Sequence, residues 1–296
     1  MAENRVINLT PSAEEAMKPS ELIRVTGHQT LSLAARRAIT LLWHNAHRQG
    51  IEVGKDYSIE LSALRTDGHK GTEVVEDAIV SLMQTVLTAQ LPDGRTRRVQ
   101  FLGGNDLDDP SRPRGVLTYS FDRRLVELLQ DSRIWGRIAI PILMAFSSKY
   151  AVTLYENTCQ WSGLTHKTWQ DMSLADFRGL IGIEDGKYEA FGSLNKHVIG
   201  SAVDEIVALA PYNISIIPIK EGRRVAQVRV AWWPKSELEL REAFVESQRS
   251  KVGRRARIAG TAERVTPVRS VQAVARQARL ERQRSRQPVI DVDDQL

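Results

Sequence analysis

The chain has 296 residues, more than one compact domain usually contains, so two domains and a tail are expected. Hydrophobic residues make up 42% and charged residues 26%, as in ordinary soluble globular proteins and not in disordered or membrane-embedded ones. The formal charge of +5 is concentrated near the C-terminus, where residues 249–286 hold twelve Arg or Lys against two Glu. Residues 1–248 are left slightly acidic, so net charge by itself does not indicate a fold that binds nucleic acid.

Cysteine content and hydropathy indicate in which cellular compartment the protein is expected. Cys159 is the only cysteine, which excludes an intramolecular disulfide and a Cys-based zinc site. The first ten residues contain no apolar signal-peptide core, and no window approaches 18 uncharged apolar residues. The longest apolar run, Ile138–Phe146, is predicted to be a buried helix with Pro141 in its first turns. We therefore expect a cytoplasmic protein with no membrane partner.

Apolar spacing predicts the order helix, strand, helix, hairpin in the first half of the chain. The predicted elements are an amphipathic helix at Leu31–Gln49, a strand at Asp56–Leu61, a helix at Gly71–Leu87 with Thr72 as its candidate N-cap, and two strands at Arg95–Leu102 and Gly115–Phe121. Gly103–Arg114 is predicted to be a long hairpin loop. In the first helix, Arg36, Arg37, His44 and Arg48 are expected on the side opposite the core. This order is typical of a winged helix, in which the helix before the hairpin enters a DNA groove.

The second half repeats that order without obvious sequence repetition. Helices are predicted at Ser147–Gly163, Ser173–Ile183 and Ala190–Leu209, followed by strands at Asn213–Ile219 and Arg223–Trp232. In the first of these helices, Tyr155 and Cys159 fall on the apolar face and are interpreted as core residues. The third helix is expected to bury Phe191, Leu194, Val198, Ile199, Ala202 and Ile206. A further exposed helix is predicted after Pro234, and Arg249–Leu296 lacks enough apolar periodicity to pack, so it is expected to be mostly disordered.

The last two strands form a candidate wing. Lys220, Arg223 and Arg224 crowd the turn at Gly222, while alternation places Arg229 and Gln227 on the face opposite Val228. Arginine and lysine in such a hairpin can contact phosphate oxygens, which supply affinity but little sequence information. The competing interpretation is a solvated hairpin whose arginines only keep an edge strand soluble.

The helix before the wing is the candidate recognition helix. Ser193, Lys196, His197 and Gly200 are predicted to project outward, with Asn195 at the border. Serine and lysine can donate hydrogen bonds to base edges or phosphates, although any amphipathic helix has a polar face. The equivalent region of the first half offers Lys70 and Thr72, together with His69, but Glu73 and Glu76 there favour weaker phosphate contact.

Motifs of enzymes are absent from the sequence. It contains no G-x-x-x-x-G-K-[ST] phosphate loop, no H-x-H, no H-E-x-x-H and no C-x-x-C. His44 and His47 lie three residues apart, but no third metal ligand accompanies them, so surface histidines are the simpler interpretation. We expect no enzymatic activity, no catalytic or metal site and no cofactor.

Several segments together carry a family resemblance. The segments LSLAARRAITLLWHNA, SKYAVTLYENTCQW, SLADFRGLIGI, LNKHVIGSAVDEI and IKEGRRVAQVRVAW occur in this order. They resemble the replication initiator (Rep) proteins of iteron-containing bacterial plasmids over roughly Leu22–Trp232, and Tyr150–Trp232 is the most specific block.

The resemblance implies two tandem winged-helix domains, an α+β fold, followed by a disordered basic C-terminal tail. Similar proteins bind repeated origin DNA, the iterons, as monomers, and they dimerise through the first domain to repress their own gene or block the origin. Melting of an AT-rich segment and recruitment of the host initiator and replicative helicase follow without covalent catalysis. Lys196 matches a basic DNA-contacting position of the family, whereas Ala190 stands where family members can hold a basic residue.

We therefore predict three regions. Residues 20–130 form an N-terminal winged helix for dimerisation and DNA binding, residues 131–235 a C-terminal winged helix for the main iteron contact, and residues 236–296 a helical extension and basic tail. The predicted function is a plasmid replication initiator that binds double-stranded origin DNA in the bacterial cytoplasm, with a homodimer as the DNA-free or repressing form. The alternative is a winged-helix transcriptional repressor without origin function, and a strand-nicking initiator enzyme is disfavoured by the missing H-x-H.

Overall fold

The computed structural model describes residues 12–23, 27–65, 73–90, 94–108, 115–130, 132–163 and 167–261. Several parts of the sequence predictions lie outside the described residues: His69, Lys70, Gly71, Thr72, the loop residues 109–114 and the tail residues 262–296. The chain divides into one compact unit that ends at Lys251 and a second unit that begins at Val252.

The helices and strands alternate along the whole described chain. The first half contains β1 (Glu15–Pro19), α1 (Ser20–Ile23), α2 (Leu33–Arg48), β2 (Tyr57–Glu60), α3 (Leu61–Leu64), α4 (Glu73–Gln84), β3 (Val86–Gln90), β4 (Thr96–Gln100), β5 (Leu102–Leu107), β6 (Val116–Phe121) and α5 (Arg123–Gln130). The second half contains β7 (Trp135–Ala139), α6 (Ile140–Ala145), α7 (Lys149–Ser162), β8 (Trp169–Ser173), α8 (Leu174–Ile181), α9 (Phe191–Leu194), a π-helical turn (Asn195–Ile199), α10 (Gly200–Leu209), β9 (Tyr212–Glu221), β10 (Arg224–Pro234) and α11 (Glu237–Ser247). The second unit contains α12 (Arg254–Ile258), in a stretch for which the sequence predicted no packed structure.

Two modules of the same topology follow one another. The first runs α2, β2, α3, α4, β5, β6, and the second runs α7, β8, α8, the helix from α9 to α10, β9, β10. Their three-stranded antiparallel sheets have the orders β2-β6-β5 and β8-β10-β9, so the last strand is central in each. These are two tandem winged-helix domains, as the sequence predicted.

Each module has its own hydrophobic core. The first core packs Trp43 of α2, Leu82 of α4 and Leu117 of β6 together. The second packs Tyr155 of α7 and Val230 of β10 with residues of α8 and the helix from α9 to α10. Two separate cores were expected, because a chain of this length that forms two small domains buries two apolar clusters.

Serine caps fix where several helices begin. The Ser32 hydroxyl accepts a hydrogen bond from the Ala35 N–H, and Ser148 and Ser173 cap α7 and α8 in the same way. Ser236 and Glu239 form a reciprocal capping box at the start of α11. Hydrogen bonds from Ser236 lower the pKa of the Glu239 carboxyl to about 2. These caps are local, which explains why the predicted starts of these helices agree with the structure.

The strands of the first module differ from the prediction. Residues 103–107, predicted to be loop, belong to β5, which pairs with β6 through a register shift between Leu102 and Asn105. A bulge at the two glycines of this segment allows a turn-like sequence to continue a strand. Residues 95–102 do not form one strand, since β4 pairs with β3 in a separate two-stranded sheet.

A two-stranded ribbon joins the modules. β1 precedes the first module and pairs antiparallel with β7, from Glu15 opposite Ala139 to Pro19 opposite Trp135. The run Ile138–Phe146, predicted to be entirely helical, therefore begins as strand, and the helix starts at Ile140 with Pro141 in its first turn. Proline is tolerated there because the first helical N–H groups have no intrahelical acceptor.

The polar side of α2 is buried, which corrects the prediction that it faces solvent. Arg36 is 5% exposed, Arg37 4% and His44 7%, while Arg48 is exposed. α2 packs against α7, the first helix of the second module. Arg36 and Arg37, predicted on the free side of α2, therefore lie in the contact between the modules.

A buried ion pair lies in this contact. The Lys18 ammonium donates to Glu156 Oε1 over 2.7 Å, and the two side chains are 2% and 7% exposed. Thr40 accepts from Lys18 over 3.0 Å and donates to the same Glu156 oxygen over 2.8 Å. A buried charge is tolerated when it is both paired and hydrogen-bonded, and this triad from β1, α2 and α7 meets both conditions.

Two arginines of α2 reach across the same contact. Arg36 donates to the Thr153 hydroxyl of α7 and, over 3.1 Å, to the His28 carbonyl. Burial lowers the pKa of Arg36 to about 10, so the guanidinium remains charged at neutral pH. Arg37 donates to the carbonyls of Phe146 and, over 3.0 Å, Met144. The two modules are thus joined by directional hydrogen bonds as well as by apolar packing.

Candidate nucleic-acid interface

The recognition helix of the second module runs from α9 through the π-helical turn to α10. Of the residues predicted to be buried, Leu194, Val198, Ile199, Ala202 and Ile206 are each at most 3% exposed. Phe191, also predicted to be buried, is only partly so, although it packs against the same core. The predicted inward face of this helix is otherwise confirmed.

The helix contains a π-helical turn that the sequence analysis missed. The Gly200 N–H donates to the Asn195 carbonyl, five residues earlier instead of four. A Cβ atom built on Gly200 would lie 3.2 Å from that carbonyl oxygen, so the absence of a side chain leaves room for the turn. The buried positions Leu194, Val198, Ala202 and Ile206 recur at intervals of four, which is a sequence signal for this turn.

The predicted contact residues of the helix lie together on its surface. Asn195, Lys196 and His197 are exposed and all fall within the π-helical turn, and Ser193 is half-buried just before it. The Tyr188 ring stacks on the His197 ring at a centroid distance of 5.8 Å and an angle of 25°. Sequence reasoning did not select Tyr188, whose φ of 51° is uncommon for a residue with a side chain.

The loop that carries Tyr188 is tied to α8. Arg178 donates to the Tyr188 carbonyl over 2.7 Å and to the Lys187 carbonyl over 2.5 Å. The Lys187 ammonium pairs with Glu184 over 2.7 Å, which raises the Lys187 pKa above its usual value. The Tyr188 ring that packs on His197 therefore belongs to a loop that is held by side-chain hydrogen bonds and an ion pair.

The wing is a ten-residue strand and an eleven-residue strand joined by a two-residue turn. Gly222 has a φ of 62°, the left-handed value that the first central residue of a type II′ hairpin turn requires. Lys220, Arg223 and Arg224 are exposed around this turn. Within the described part of the chain, no carboxylate lies within 4 Å of their charged groups or of Lys196.

Arg229 lies on the same hairpin but is already paired. It donates to both carboxylate oxygens of Asp171, over 2.7 and 2.8 Å, and its guanidinium lies 4.1 Å from the centre of the Trp169 ring. The Arg229 hydrogen bonds lower the pKa of Asp171. Arg229 is therefore paired, unlike the cations around the turn. The DNA contact that the sequence predicted for Arg229 stays a prediction.

The recognition helix of the first module differs in charge. The exposed residues of α4 include Glu73, Val74, Asp77 and Val80, while Lys70 and Thr72 lie outside the described residues. Carboxylates repel the phosphate backbone. The described part of α4 thus agrees with the expectation of a weaker phosphate contact from the first module.

Comparison with known families identifies both modules. Residues 15–159 match the family described as Initiator Replication protein, WH1, and residues 173–232 match Initiator Rep protein, WH2. The chain belongs to the initiator Rep family. The first match begins at β1, and the second match covers the recognition helix and the wing.

Membership in the initiator Rep family supports a role in plasmid replication initiation and DNA binding for this chain. A comparison with curated proteins found no match. Among the residues that the structure describes, no helix has the length and apolar character needed to cross a bilayer.

Proposed function

We propose that this chain starts replication of a bacterial plasmid by binding repeated origin sequences, the iterons, with its two winged-helix modules. The observation that carries the proposal is that the second module exposes polar and cationic side chains both on its recognition helix and at its wing turn. Asn195, Lys196 and His197 are exposed on the recognition helix, and Lys220, Arg223 and Arg224 are exposed at the wing turn. This arrangement matches a helix that enters the major groove beside a hairpin that contacts the backbone.

The two groups of residues have different roles in the proposal. Lys196 and Asn195 present the donors and acceptors that distinguish base edges in the major groove, with bidentate pairs contributing roughly 1–3 kcal/mol each. The wing cations contact phosphates, which position the protein and make its affinity depend on salt. Base contacts therefore select the iteron, and the wing increases affinity for any duplex.

The contact between the modules determines how the repeat is bound. Because Lys18, Arg36 and Arg37 bond across it, the two recognition helices keep a fixed separation and rotation. Five base pairs turn a duplex by about half a helical turn, since one turn takes roughly 10 base pairs. A ten-pair insertion restores the rotation but adds about 34 Å of length, so we expect both insertions between the two parts of an iteron to reduce binding to that of a single module.

Later steps of the proposal rest on the family resemblance. Binding at several repeats distorts the duplex and promotes melting of an AT-rich segment, where the host initiator and replicative helicase are recruited. A homodimer of the chain represses its own gene. The protein acts by binding and deformation of DNA, not as an enzyme.

The double variant Lys196→Ala Arg224→Ala tests the proposed surface. Loss of one base contact and one phosphate contact should weaken binding to an origin repeat by about 2–4 kcal/mol in fluorescence anisotropy at moderate salt. Lys167→Ala is the matched control, because Lys167 is exposed and precedes β8 at the end of the sheet far from the wing turn. Unchanged affinity of the double variant would remove the second module from the proposal.

A winged-helix repressor without origin function is the competing proposal, since an autoregulating initiator would bind DNA with the same surface. The two differ in one outcome: an initiator gene with its flanking DNA maintains an otherwise non-replicating circle, whereas a repressor gene does not. A nicking enzyme differs from both, because it would convert supercoiled origin DNA to the relaxed form.

A further inference from the structure

The π-helical turn lies at the residues to which the proposed function assigns base contacts. We propose that this turn sets the angular position of Asn195, Lys196 and His197 against DNA, and that Gly200 is the positioning residue that permits it. The proposal rests on the proposed function and deepens it, because it names what orients the recognition side chains.

The spacing of the buried residues shows what the turn does. Leu194 and Ile206 are both 0% exposed and belong to one core, although twelve residues separate them. In an uninterrupted α-helix, twelve residues at 3.6 per turn would leave these side chains about 120° apart. A π turn contains one residue more than an α-helical turn. The two side chains are then rotated as if eleven residues separated them, which leaves them only about 20° apart around the helix axis. The turn therefore lets both ends of the helix face the core.

The rotation produced by the π turn also determines which residues of the helix face outward. α10 is anchored through Ala202, Ile206 and Leu209, each at most 2% exposed. If the helix continued as an α-helix from this anchor, the residues before the turn would rotate by about 100° around its axis. Leu194 would then leave the core, and Lys196 would present a different direction to a groove. The outward direction of Lys196 thus depends on the π turn.

Gly200 is the residue at which the turn closes. Its N–H donates to the Asn195 carbonyl, and a Cβ there would lie 3.2 Å from that oxygen, tighter than an ordinary van der Waals contact. Gly200→Ala therefore has to shift the Asn195 carbonyl by a few tenths of an ångström or weaken the π turn, and we expect either change to disturb the adjoining recognition residues. Gly179 of α8 is the matched control, because a Cβ there would meet nothing within 4 Å.

The test compares specific with nonspecific DNA binding by the full chain. We expect Gly200→Ala to lose at least tenfold in affinity for an origin repeat while it keeps its affinity for an unrelated duplex at low salt, where wing and tail cations dominate. Gly179→Ala should bind both duplexes as the unmodified chain does. The thermal unfolding midpoint and far-ultraviolet circular dichroism establish whether each variant is folded.

A deletion variant keeps the proposal testable if Gly200→Ala does not fold. Removing Asn195 places Leu194 and Ile206 eleven positions apart instead of twelve, so an ordinary α-helix satisfies the core and the fold should persist. Asn195→Ala removes only the side chain and controls for its own contact. We expect the deletion to lose at least tenfold more specific affinity than Asn195→Ala.

Two outcomes separate this inference from the proposed function. Folded Gly200→Ala and Asn195-deletion variants that bind the origin repeat as tightly as their controls would overturn the role of the π turn. The result expected for the proposed function, loss of affinity in Lys196→Ala Arg224→Ala, would still stand in that case. If that double variant bound normally while the π-turn variants lost specific affinity, the turn would remain a positioning element and the assigned contact residues would be wrong.

Discussion

Lys18 of β1 and Glu156 of α7 form an ion pair of 2.7 Å that joins the two modules in a buried environment. The strand before the first module thus supplies the charge that neutralises a carboxylate of the second. Because Thr40 of α2 bonds to both groups, three elements distant in sequence meet at one point. This relationship leads to the first prediction.

Removing one partner of the ion pair should lower the free energy of unfolding. In Lys18→Met the Glu156 carboxylate is left buried without its counter-ion, and such losses cost about 3–5 kcal/mol of unfolding free energy. Lys18→Met Glu156→Gln removes both charges and should lose less than the sum of the single variants. Urea unfolding followed by tryptophan fluorescence measures each variant, and strictly additive single losses would show that the two charges do not interact.

The wing cations should determine part of the salt dependence of DNA binding. Each phosphate contact contributes about 0.9 to the slope of log affinity against log salt, so Arg223→Ala Arg224→Ala should reduce that slope by about 2. The preference for an origin repeat over unrelated duplex should persist, because these arginines contact the backbone. Titrations between roughly 50 and 200 mM salt measure the slope. An unchanged slope together with lost sequence preference would reverse the assigned roles.

Arg229 should control the titration of Asp171 and not the salt slope. Its bidentate hydrogen bonds lower the Asp171 pKa, so the pair stabilises the fold above the ordinary carboxylate pKa and loses that effect as pH falls through the lowered value. In Arg229→Gln the Asp171 pKa should return toward its usual value in an NMR titration, and the salt slope of DNA binding should not change. A reduced slope in this variant would place Arg229 at the DNA after all.

Cys159 should be unreactive in the folded protein. Burial raises its thiol pKa to about 12, although a hydrogen-bond contact with Tyr212 opposes the shift. The thiol then remains protonated at pH 8, where only the thiolate would attack a disulfide reagent. We expect reaction only after unfolding in urea, and fast stoichiometric labelling of the native chain would contradict the buried position.

The local signals in the sequence were sufficient for much of the fold. Apolar periodicity predicted α2, α7 and α8 within a few residues of their limits, and the structure shows that Ser32, Ser148 and Ser173 cap them. Alternation predicted the wing and its turn at Gly222. For the candidate site, the sequence selected the exposed side chains of Asn195, Lys196 and His197. Each of these features depends on residues close to one another in the chain.

Features that depend on distant partners were not predictable in this way. The polar side of α2 resembles any solvated helix face, and only the packing of α7 against it makes Arg36 and Arg37 buried donors. Residues 103–107 have a turn-like composition, and only the pairing with β6 makes them strand. Asp171 lies fifty-eight residues from Arg229, so their ion pair could not be seen in either segment alone.

The sequence by itself determined that there are two helix-and-wing modules and which side chains project from the second, because periodicity and capping act within a few residues. Only the tertiary structure decided that Arg36 and Arg37 of α2 join the modules, that Arg229 is paired and that the recognition helix contains a π turn. The physical reason is that the burial, ion pairing and rotation of a helix or strand depend on the element that packs against that helix or strand. This packing element lies elsewhere in the chain.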